Sequence, residues 1–232
     1  MDIKKLKNKH TNKDLVILTC GPSLTEYDKD LICKFLENKI VICVKESIIE
    51  YKNYADYFIC NTTRERRYNF VDKTIKLYQR KNTTGENKYD IFLNEDLPFS
   101  KNRQLLRIKN FEKYNFENNI KRPWGPGILY ESVFYLCLYM GIKNVYTIGW
   151  DLIDINNPTV ITHYFDNYKT KDYKKSKVWS IKDFKKDGHL EEMKMVNKNI
   201  PFMYNYFKNK GMNIFVVGKK SYVNSKIPRI YL

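Results

Sequence analysis

Residues 122–151 read Arg122-Pro-Trp-Gly-Pro-Gly-Ile-Leu-Tyr-Glu-Ser-Val-Phe-Tyr-Leu-Cys-Leu-Tyr-Met-Gly-Ile-Lys-Asn-Val-Tyr-Thr-Ile-Gly-Trp-Asp151, a glycine turn followed by an apolar run and a strand-like segment. The turn Gly125-Pro-Gly127 opens onto an apolar run ending at Met140, which predicts a buried helix that is too short to cross a bilayer. Gly141 suits the C-cap of that helix, and Val145 to Ile148 predicts a buried strand. A helix that starts at a glycine turn offers free N–H groups and a positive dipole end to an anion. The stretch therefore predicts an anion-binding turn, or simply the central helix–strand unit of a sheet.

Strand-like and helix-like segments alternate along the rest of the 232 residues. Short apolar runs predict buried strands at 15–18, 40–44, 57–60, 75–78 and 213–218. Helices are predicted over 27–38 and 187–210. This alternation favours a single α/β domain over residues 1–232, built on a Rossmann-like, doubly wound, mostly parallel sheet. Residues 1–13 are expected to form a loose basic arm, and residues from about 152 to 187 a polar lid or insert.

The formal net charge of +16 predicts attraction to an anionic partner. Because Lys, Asn, Tyr and Ile are all abundant, codon bias in an AT-rich genome is an alternative explanation of the charge. No RNA-binding or helix-turn-helix signature accompanies the charge, so nucleic acid is not an expected partner, whereas an anionic membrane or glycolipid surface is a candidate. The five cysteines contain no CxxC pair, and the N-terminus lacks the apolar segment of a signal peptide. These features favour a reduced protein of the cytoplasm, peripheral at most to a membrane.

Small or polar residues follow each predicted strand, at the end where open parallel sheets bind ligands. The site candidates at these positions include Lys45. The candidates for nucleotide binding are Cys20, Gly21, Pro22, Ser23, Asn61, Thr62 and Asp151. The Ser23 hydroxyl and the amides that follow it suit a phosphate or a ribose, although Pro and Ser also begin helices routinely. Asn61 suits recognition of a base or ribose edge, and equally an Asx turn.

Two histidines lie in the polar half of the chain that follows the central strand. His189, between Gly188 and an acidic helix start, is a candidate general base toward a hydroxyl, with a surface role as the alternative. Asp151 and Asp154 do not form a DxD pair and no His/Cys cluster exists, so no metal site is expected. Walker A, GxSxG and GxGxxG patterns are absent, which argues against common kinases, α/β hydrolases and dehydrogenases.

Four stretches, in order along the chain, resemble the bacterial lipooligosaccharide sialyltransferases. They are Leu18-Thr-Cys-Gly-Pro-Ser-Leu24, Phe58-Ile-Cys-Asn61, Val145-Tyr-Thr-Ile-Gly-Trp-Asp151 and Gly188-His189. The resemblance covers most of the chain except about 64–120. The spacing from Gly127 to Gly141 is more similar to that of a related group, the 6-hydroxymethylpterin diphosphokinase-like proteins, which includes the flagellin-glycosylating motility accessory factors.

The resemblance to the sialyltransferases implies an inverting glycosyltransferase without metal or other cofactor. Such an enzyme moves a sialic-acid-like sugar from a CMP-activated donor to a glycan or glycolipid acceptor. His189 is implied as the general base. The resemblance also implies that Gly21, Pro22, Ser23 and Asn61 bind the nucleotide, with Gly125, Pro126 and Gly127 around the cytidine phosphate.

Two positions depart from the pattern of the sialyltransferases. Cys20 stands where the family has an Asn, which bears on recognition of the cytidine. Leu152-Ile153 stands where the family has one of two tyrosines that stabilise the leaving phosphate. His163 or Tyr164 is then expected to neutralise that phosphate.

Two other functions stay open on the sequence alone. One is a diphosphokinase-like enzyme that uses ATP and Mg²⁺. The other is a non-enzymatic basic module whose binding to nucleic acid or anionic lipid is sensitive to salt.

Overall fold

A parallel β-sheet organises the part of the chain that the structure describes. This part, from a computed structural model, comprises residues 2–60, 68, 70–78, 90–93, 129–152, 159–160, 163–164, 179–180 and 189–232. The strands are β1 (Asp14–Leu18), β2 (Ile40–Val44), β3 (Tyr57–Cys60), β4 (Ile75–Tyr78), β5 (Ile91–Phe92), β6 (Asn144–Ile148), β7 (Thr159–Val160), β8 (Trp179–Ser180), β9 (Asn213–Val217) and β10 (Arg229–Ile230). Eight of them form one sheet in the order β10-β9-β6-β1-β2-β3-β4-β5, and every pairing in this sheet is parallel. Strands β7 and β8 form a separate antiparallel pair.

Helices connect the strands of the large sheet. They are α1 (Lys29–Leu36), α2 (Ser47–Tyr51), α3 (Phe134–Tyr139) and α4 (His189–Asn209). The Asp28 side chain accepts a hydrogen bond from Asp30 N at 2.8 Å and so caps the start of α1. Beyond the end of α3, Gly141 has a φ of 78°, the left-handed conformation that its position in the sequence predicted. Pro201 lies inside α4 and does not split it.

Side chains that alternate along the strands give the sheet two apolar faces. Leu15 and Ile17 of β1 belong to the core beneath α3 and α4, whereas Val16 and Leu18 belong to the core beneath α1 and α2. Helices therefore cover both faces, as a parallel sheet requires. The predicted α/β, Rossmann-like, doubly wound sheet is confirmed.

The direction of winding reverses between β1 and β6. On one side of β1 the sheet continues through β2, β3, β4 and β5, and on the other side through β6, β9 and β10. The connections that leave β1 and β6 therefore cross to opposite faces of the sheet. In sheets of this kind the ligand binds outside the carboxyl ends of the strands at this reversal.

The N-terminal segment packs against the end of α3. Leu6, in a 3-10 turn at Ile3–Leu6, is fully buried. Backbone N–H groups of residues 8, 10 and 12 donate to the carbonyls of residues 139, 140 and 141. A helix end leaves such carbonyls without a partner inside the helix, so the segment supplies the missing donors. The prediction of a loose arm over residues 1–13 is therefore wrong.

Only part of the predicted lid, from about 152 to 187, falls within the described residues. Leu152, the β7–β8 pair and residues 163–164 are described, and the rest of the segment lies outside. A lid over the site stays a prediction. Among the described residues, no helix combines the length and the apolar character needed to span a membrane.

Leu6→Ala is expected to lower the free energy of unfolding by roughly 2–5 kcal/mol, because the substitution leaves a cavity in a buried position. Lys5→Ala, at an exposed neighbour, should change it by less than about 0.5 kcal/mol. Chemical denaturation of both variants measures the difference. Equal stability of Leu6→Ala and the parent protein would show that the segment does not belong to the core.

Candidate functional site

The candidate site lies at the carboxyl edge of the sheet, where β1 and β6 end side by side. Leu18 and Ile148 are the last partners in the ladder. Beyond it, Thr19 N donates to Ile148 O at 2.9 Å, and Gly21 N donates to Gly149 O at 2.8 Å. The turn after β1 and the loop after β6 are therefore held together past the end of the sheet.

Gly21 allows these two segments to approach each other. A Cβ atom at this position would collide with the Gly149 carbonyl oxygen and would lie 2.6 Å from Asp151 Oδ2. The φ of Gly21 is −69°, so the requirement for glycine is steric. The close approach also brings Ser23 N to 2.6 Å from Asp151 Oδ2, a hydrogen bond strengthened when the carboxylate is charged.

Two buried polar atoms of this turn form no hydrogen bond of good geometry with the residues that the structure describes, although the Ser23 and Ser221 hydroxyls lie close enough to the Asp151 carboxyl to lower its pKa. They are Ser23 Oγ and Asp151 Oδ1, and Ser23 as a whole is only 1% exposed. A buried polar atom without a partner costs about 1–3 kcal/mol, and native proteins contain few of them. A hydroxyl that donates or accepts, beside a carboxylate oxygen that accepts, suits a polar ligand with hydroxyl groups.

The environment of Asp151 disfavours its charge. Burial raises the pKa of the Asp151 carboxyl, and the hydrogen bond from Ser23 N, together with the nearby hydroxyls of Ser23 and Ser221, opposes this shift. The charge of Glu26 adds to the increase in the pKa. A carboxyl with a perturbed pKa, at the point where the sheet reverses direction, is typical of a functional site.

The loop after β9 closes the other side of the site. Ser221 Oγ donates to the Trp150 carbonyl at 2.6 Å. The Glu26 carboxylate accepts hydrogen bonds from the backbone N–H groups of Lys219, at 2.8 and 3.0 Å, and of Lys220, at 3.0 Å. The segments after β1, β6 and β9 are thus joined by side chains that the sequence did not identify as part of the site. A signal was present, because Ser23 and Glu26 have the spacing of a capping box, but Glu26 binds a distant loop instead of its own turn.

Tyr164 lies against the turn after β1. Its backbone N–H donates to Cys20 O at 2.8 Å, and its hydroxyl donates to the Glu46 carbonyl at 3.1 Å. Tyr164 is 6% exposed, and His163 next to it is half-buried. The predicted phosphate-binding tyrosine is therefore close to the first turn, with its hydroxyl directed at a backbone carbonyl.

Cys20 does not resemble a reactive thiol. It is buried, and its Sγ donates to the Val44 carbonyl at 3.2 Å. Burial raises the pKa of the Cys20 thiol strongly, and the nearby Glu46 carboxylate raises it further. Cys20 is therefore a neutral thiol that packs against the end of β2.

The other predicted residues are placed as follows. Pro22 begins a 3-10 turn at Pro22–Thr25, and Lys45 has a φ of 53° directly after β2. Asn61, Thr62, Gly125, Pro126 and Gly127 lie outside the described residues, and their roles stay predictions.

His189 is the first residue of α4. A helix that connects two neighbouring parallel strands runs opposite to them, and α4 lies between β6 and β9 in the chain. The start of α4 is therefore on the carboxyl side of the sheet, the side that carries Ser23 and Asp151. Within the described ranges, no group of three or more His, Cys, Asp or Glu residues is arranged to hold a metal ion.

Among the comparisons with known proteins, the one with solved structures agrees with this architecture at the level of the fold. No protein-family model matches the sequence, and the search of curated proteins gives no match. A solved structure of the sialyltransferase CstII from Campylobacter jejuni, in complex with a substrate analogue, cytidine-5'-monophosphate, is similar to this chain with a TM-score of 0.50. The similarity covers 94% of this chain and 85% of that chain, at 13% sequence identity. The chain has a sialyltransferase-like fold. The fold that the resemblance implied is thus confirmed, and the individual motifs stay predictions.

Asp151→Asn is expected to be more stable than the parent protein at pH 7 by roughly 1 kcal/mol, because it removes a buried charge and keeps an acceptor for Ser23 N. The folded-state pKa of Asp151 is raised, so folding favours the protonated form of this carboxyl. The resulting contribution to stability is complete below the ordinary carboxyl pKa of about 4 and is lost as pH rises through the folded-state pKa. The stability of Asp151→Asn relative to the parent protein should therefore increase as pH rises from about 4 through the folded-state pKa of Asp151.

Chemical denaturation between pH 4 and pH 7 measures this difference in stability. Asp72→Asn, at an exposed carboxylate, is the matched control and should show no such trend. A difference between Asp151→Asn and the parent protein that stays constant with pH would contradict the interpretation.

Proposed function

We propose that this protein is a glycosyltransferase that takes a sialic-acid-like sugar from a CMP-activated donor and transfers it to a glycan or glycolipid hydroxyl. The observation that carries the proposal is the pair of unpartnered buried atoms, Ser23 Oγ and Asp151 Oδ1, at the reversal point of the sheet. Support also comes from the sialyltransferase-like fold and from the cytidine monophosphate in the structure of the similar enzyme. The net charge of +16 suits an anionic donor and an anionic acceptor surface.

The nucleotide is bound, in this proposal, along the turn after β1. Ser23 Oγ and Asp151 Oδ1 gain hydrogen bonds from the ligand that the described residues do not provide. Gly21 leaves no side chain between the two segments, so that backbone amides are available close to the ligand. The predicted contacts of Asn61, Thr62 and the Gly125–Gly127 turn complete the nucleotide site.

The transfer needs a base and a way to stabilise the leaving group. His189 takes the proton of the acceptor hydroxyl while the acceptor oxygen attacks the anomeric carbon and the bond from that carbon to the phosphate oxygen breaks. Attack from the face opposite the phosphate inverts the configuration at the anomeric carbon. The phosphate leaves with the bonding electrons, and hydrogen bonds from His163 and from the Gly125–Gly127 turn stabilise its charge, because Tyr164 donates its one hydroxyl proton to the Glu46 carbonyl. No metal takes part in this scheme.

Calorimetric titration with CMP in the presence of a chelator tests the nucleotide specificity. The parent protein is expected to bind CMP, and Ser23→Ala to bind it roughly 5- to 10-fold more weakly, because one hydrogen bond is lost. Thermal unfolding should show that Ser23→Ala is no less stable, since its hydroxyl has no partner among the described residues. Thr25→Ala is the matched control, because its exposed hydroxyl donates within the same turn, to Pro22 O at 3.0 Å. Binding of ATP that requires Mg²⁺, with no binding of CMP, would favour the diphosphokinase-like alternative instead.

His189→Ala is expected to lower kcat for sugar transfer by roughly 10²- to 10⁴-fold, the usual contribution of a general base. The affinity for CMP should not change, because the base acts on the acceptor and not on the nucleotide. Steady-state transfer assays combined with CMP titration separate the two effects. Undiminished transfer by His189→Ala would rule out this mechanism.

A further inference from the structure

Residues 193–232 combine a strong positive charge with exposed aromatic side chains. They contain eight Lys or Arg residues and no Asp or Glu, so all 26 acidic residues of the chain lie before them. Codon bias explains abundant lysine along a whole chain, but it does not explain the absence of acidic residues from one segment. The positive charge of this segment is therefore a local feature of the molecule.

The same segment carries the most exposed large apolar side chains among the described residues. Tyr231 is 58% exposed, Phe202 57% and Tyr222 52%, whereas the next, Leu31, is 40% exposed. Single exposed apolar side chains are common on protein surfaces. Three of them in a segment without negative charge form a different pattern, because aromatic rings beside lysines are typical of proteins that bind at the interface of a membrane.

Helix α4 presents part of this pattern on its outer face. Lys194, Lys198 and Phe202 follow one another at intervals of four residues and are all exposed, so they lie along one side of the helix. The opposite side packs into the core through residues such as Val196. Glu191 forms an exposed ion pair with Lys194 at 3.0 Å, so the uncompensated positive charge of this face begins at Lys198.

The loop after β9 lies next to this face of α4. Asn197 Nδ2 donates to the Tyr222 carbonyl at 3.2 Å, and Asn224 Nδ2 donates to the Asn197 carbonyl at 3.2 Å. The Lys219 ammonium lies 5.3 Å from the centre of the Tyr231 ring, which adds the residues after β10 to the same area. We call the following exposed side chains the basic aromatic surface: Lys198, Phe202, Lys219, Lys220, Tyr222 and Tyr231.

We propose that the basic aromatic surface docks this protein on an anionic phospholipid bilayer. Lysine ammonium groups attract the negative headgroups, and each lysine close to the bilayer strengthens binding by roughly 5-fold. The Phe202 ring enters the interfacial region, and the two tyrosines place their rings there while their hydroxyls stay in contact with water. The inference concerns a surface outside the nucleotide site and does not depend on the proposed transfer.

The exposed rings favour a bilayer over duplex nucleic acid as the partner. The phosphates of a duplex attract lysines equally well. The bases of a duplex are stacked inside it, however, so that the rings of Phe202 and Tyr222 would stay in contact with water. A bilayer accepts both the charges and the rings.

The loop after β9 belongs both to this surface and to the edge of the candidate site. The side chains of Lys219 and Lys220 are exposed, while their backbone N–H groups donate to the Glu26 carboxylate. Ser221, the next residue, donates to the Trp150 carbonyl. Docking through this loop therefore brings the candidate site close to the lipid headgroups.

Co-sedimentation with vesicles at physiological ionic strength tests the proposal. The parent protein is expected to bind vesicles made of phosphatidylcholine and phosphatidylglycerol in equal parts, and not vesicles of phosphatidylcholine alone. Lys198→Gln/Lys220→Gln should bind the anionic vesicles roughly 10- to 30-fold more weakly, because two attractive charges are lost. Phe202→Ser should bind them roughly 5-fold more weakly or less tightly still, because no ring enters the interface.

The matched controls remove the same kinds of side chain elsewhere. Lys13→Gln/Lys34→Gln removes two charges from exposed positions outside the surface, since Lys13 directly precedes β1 and Lys34 lies on α1, which covers the other face of the sheet. Leu31→Ser removes an exposed apolar side chain from α1. Both controls should bind the anionic vesicles within about 2-fold of the parent protein, because salt screens distant charges. Thermal unfolding verifies that each variant is folded.

The proposal is overturned if the parent protein does not bind the anionic vesicles, or if Phe202→Ser binds them as tightly as the parent protein. Equal weakening by the two double lysine variants would also overturn it, because net charge alone would then cause the binding. Tighter binding to a DNA duplex than to the anionic vesicles in the same buffer would identify nucleic acid as the partner instead. Because these assays contain no CMP, none of their outcomes changes the proposed function.

Discussion

The close approach of two backbone segments beyond the sheet is the constraint on which the site depends. Gly21 and Gly149 bring the turn after β1 within hydrogen-bond distance of the loop after β6, at 2.8 Å. A side chain at Gly21 would occupy space that the Gly149 carbonyl and Asp151 already fill. Because the sheet reverses its winding between these two strands, the same contact lies where a doubly wound fold binds its ligand.

This arrangement lowers the stability of the fold, because it buries polar groups. Asp151 keeps a carboxylate in a place where burial raises its pKa, and Ser23 keeps a hydroxyl without a partner among the described residues. A sequence selected for stability alone would replace such groups with apolar ones of similar size. Their presence is easier to understand when a ligand completes the hydrogen bonds. Stability and binding therefore have opposite requirements at this turn, which is a common property of functional sites.

A second set of contacts extends the site from β1 toward β2. Glu46 lies near Tyr164, Cys20 and Tyr68. Its backbone carbonyl accepts a hydrogen bond from the Tyr164 hydroxyl, its Oε2 is 3.7 Å from Cys20 Sγ, and its charge helps to raise the pKa of the Tyr68 phenol. Cys20 stands where the sialyltransferase pattern has an Asn, and its neutral thiol leaves the Glu46 carboxylate as the stronger polar group in this region.

The apolar runs of the sequence determined the strands, because burial on both faces of a parallel sheet requires nearly continuous apolar residues. The predicted strand at 40–44 has the same ends as β2, and the predicted end of the central helix before Gly141 agrees with its left-handed conformation. The turn after β1 was also recognisable, since Gly-Pro-Ser after a strand is a local signal. The short strands β5 and β10, with two residues each, carry too little pattern to be found in this way.

Contacts between residues far apart in the chain were visible in the folded protein and not in the sequence. The N-terminal segment contains polar residues that predict a loose arm, yet its backbone supplies the hydrogen-bond donors that the end of α3 lacks. Glu46, Tyr68 and Ser221 carry no local pattern of a site, because their roles depend on strand order and not on neighbours in the chain. The local elements and the first turn could be predicted from the sequence, since they follow from periodicity and backbone chemistry. The pairing of that turn with Asp151 and Glu46 depends on contacts between residues far apart in sequence, which local patterns do not encode.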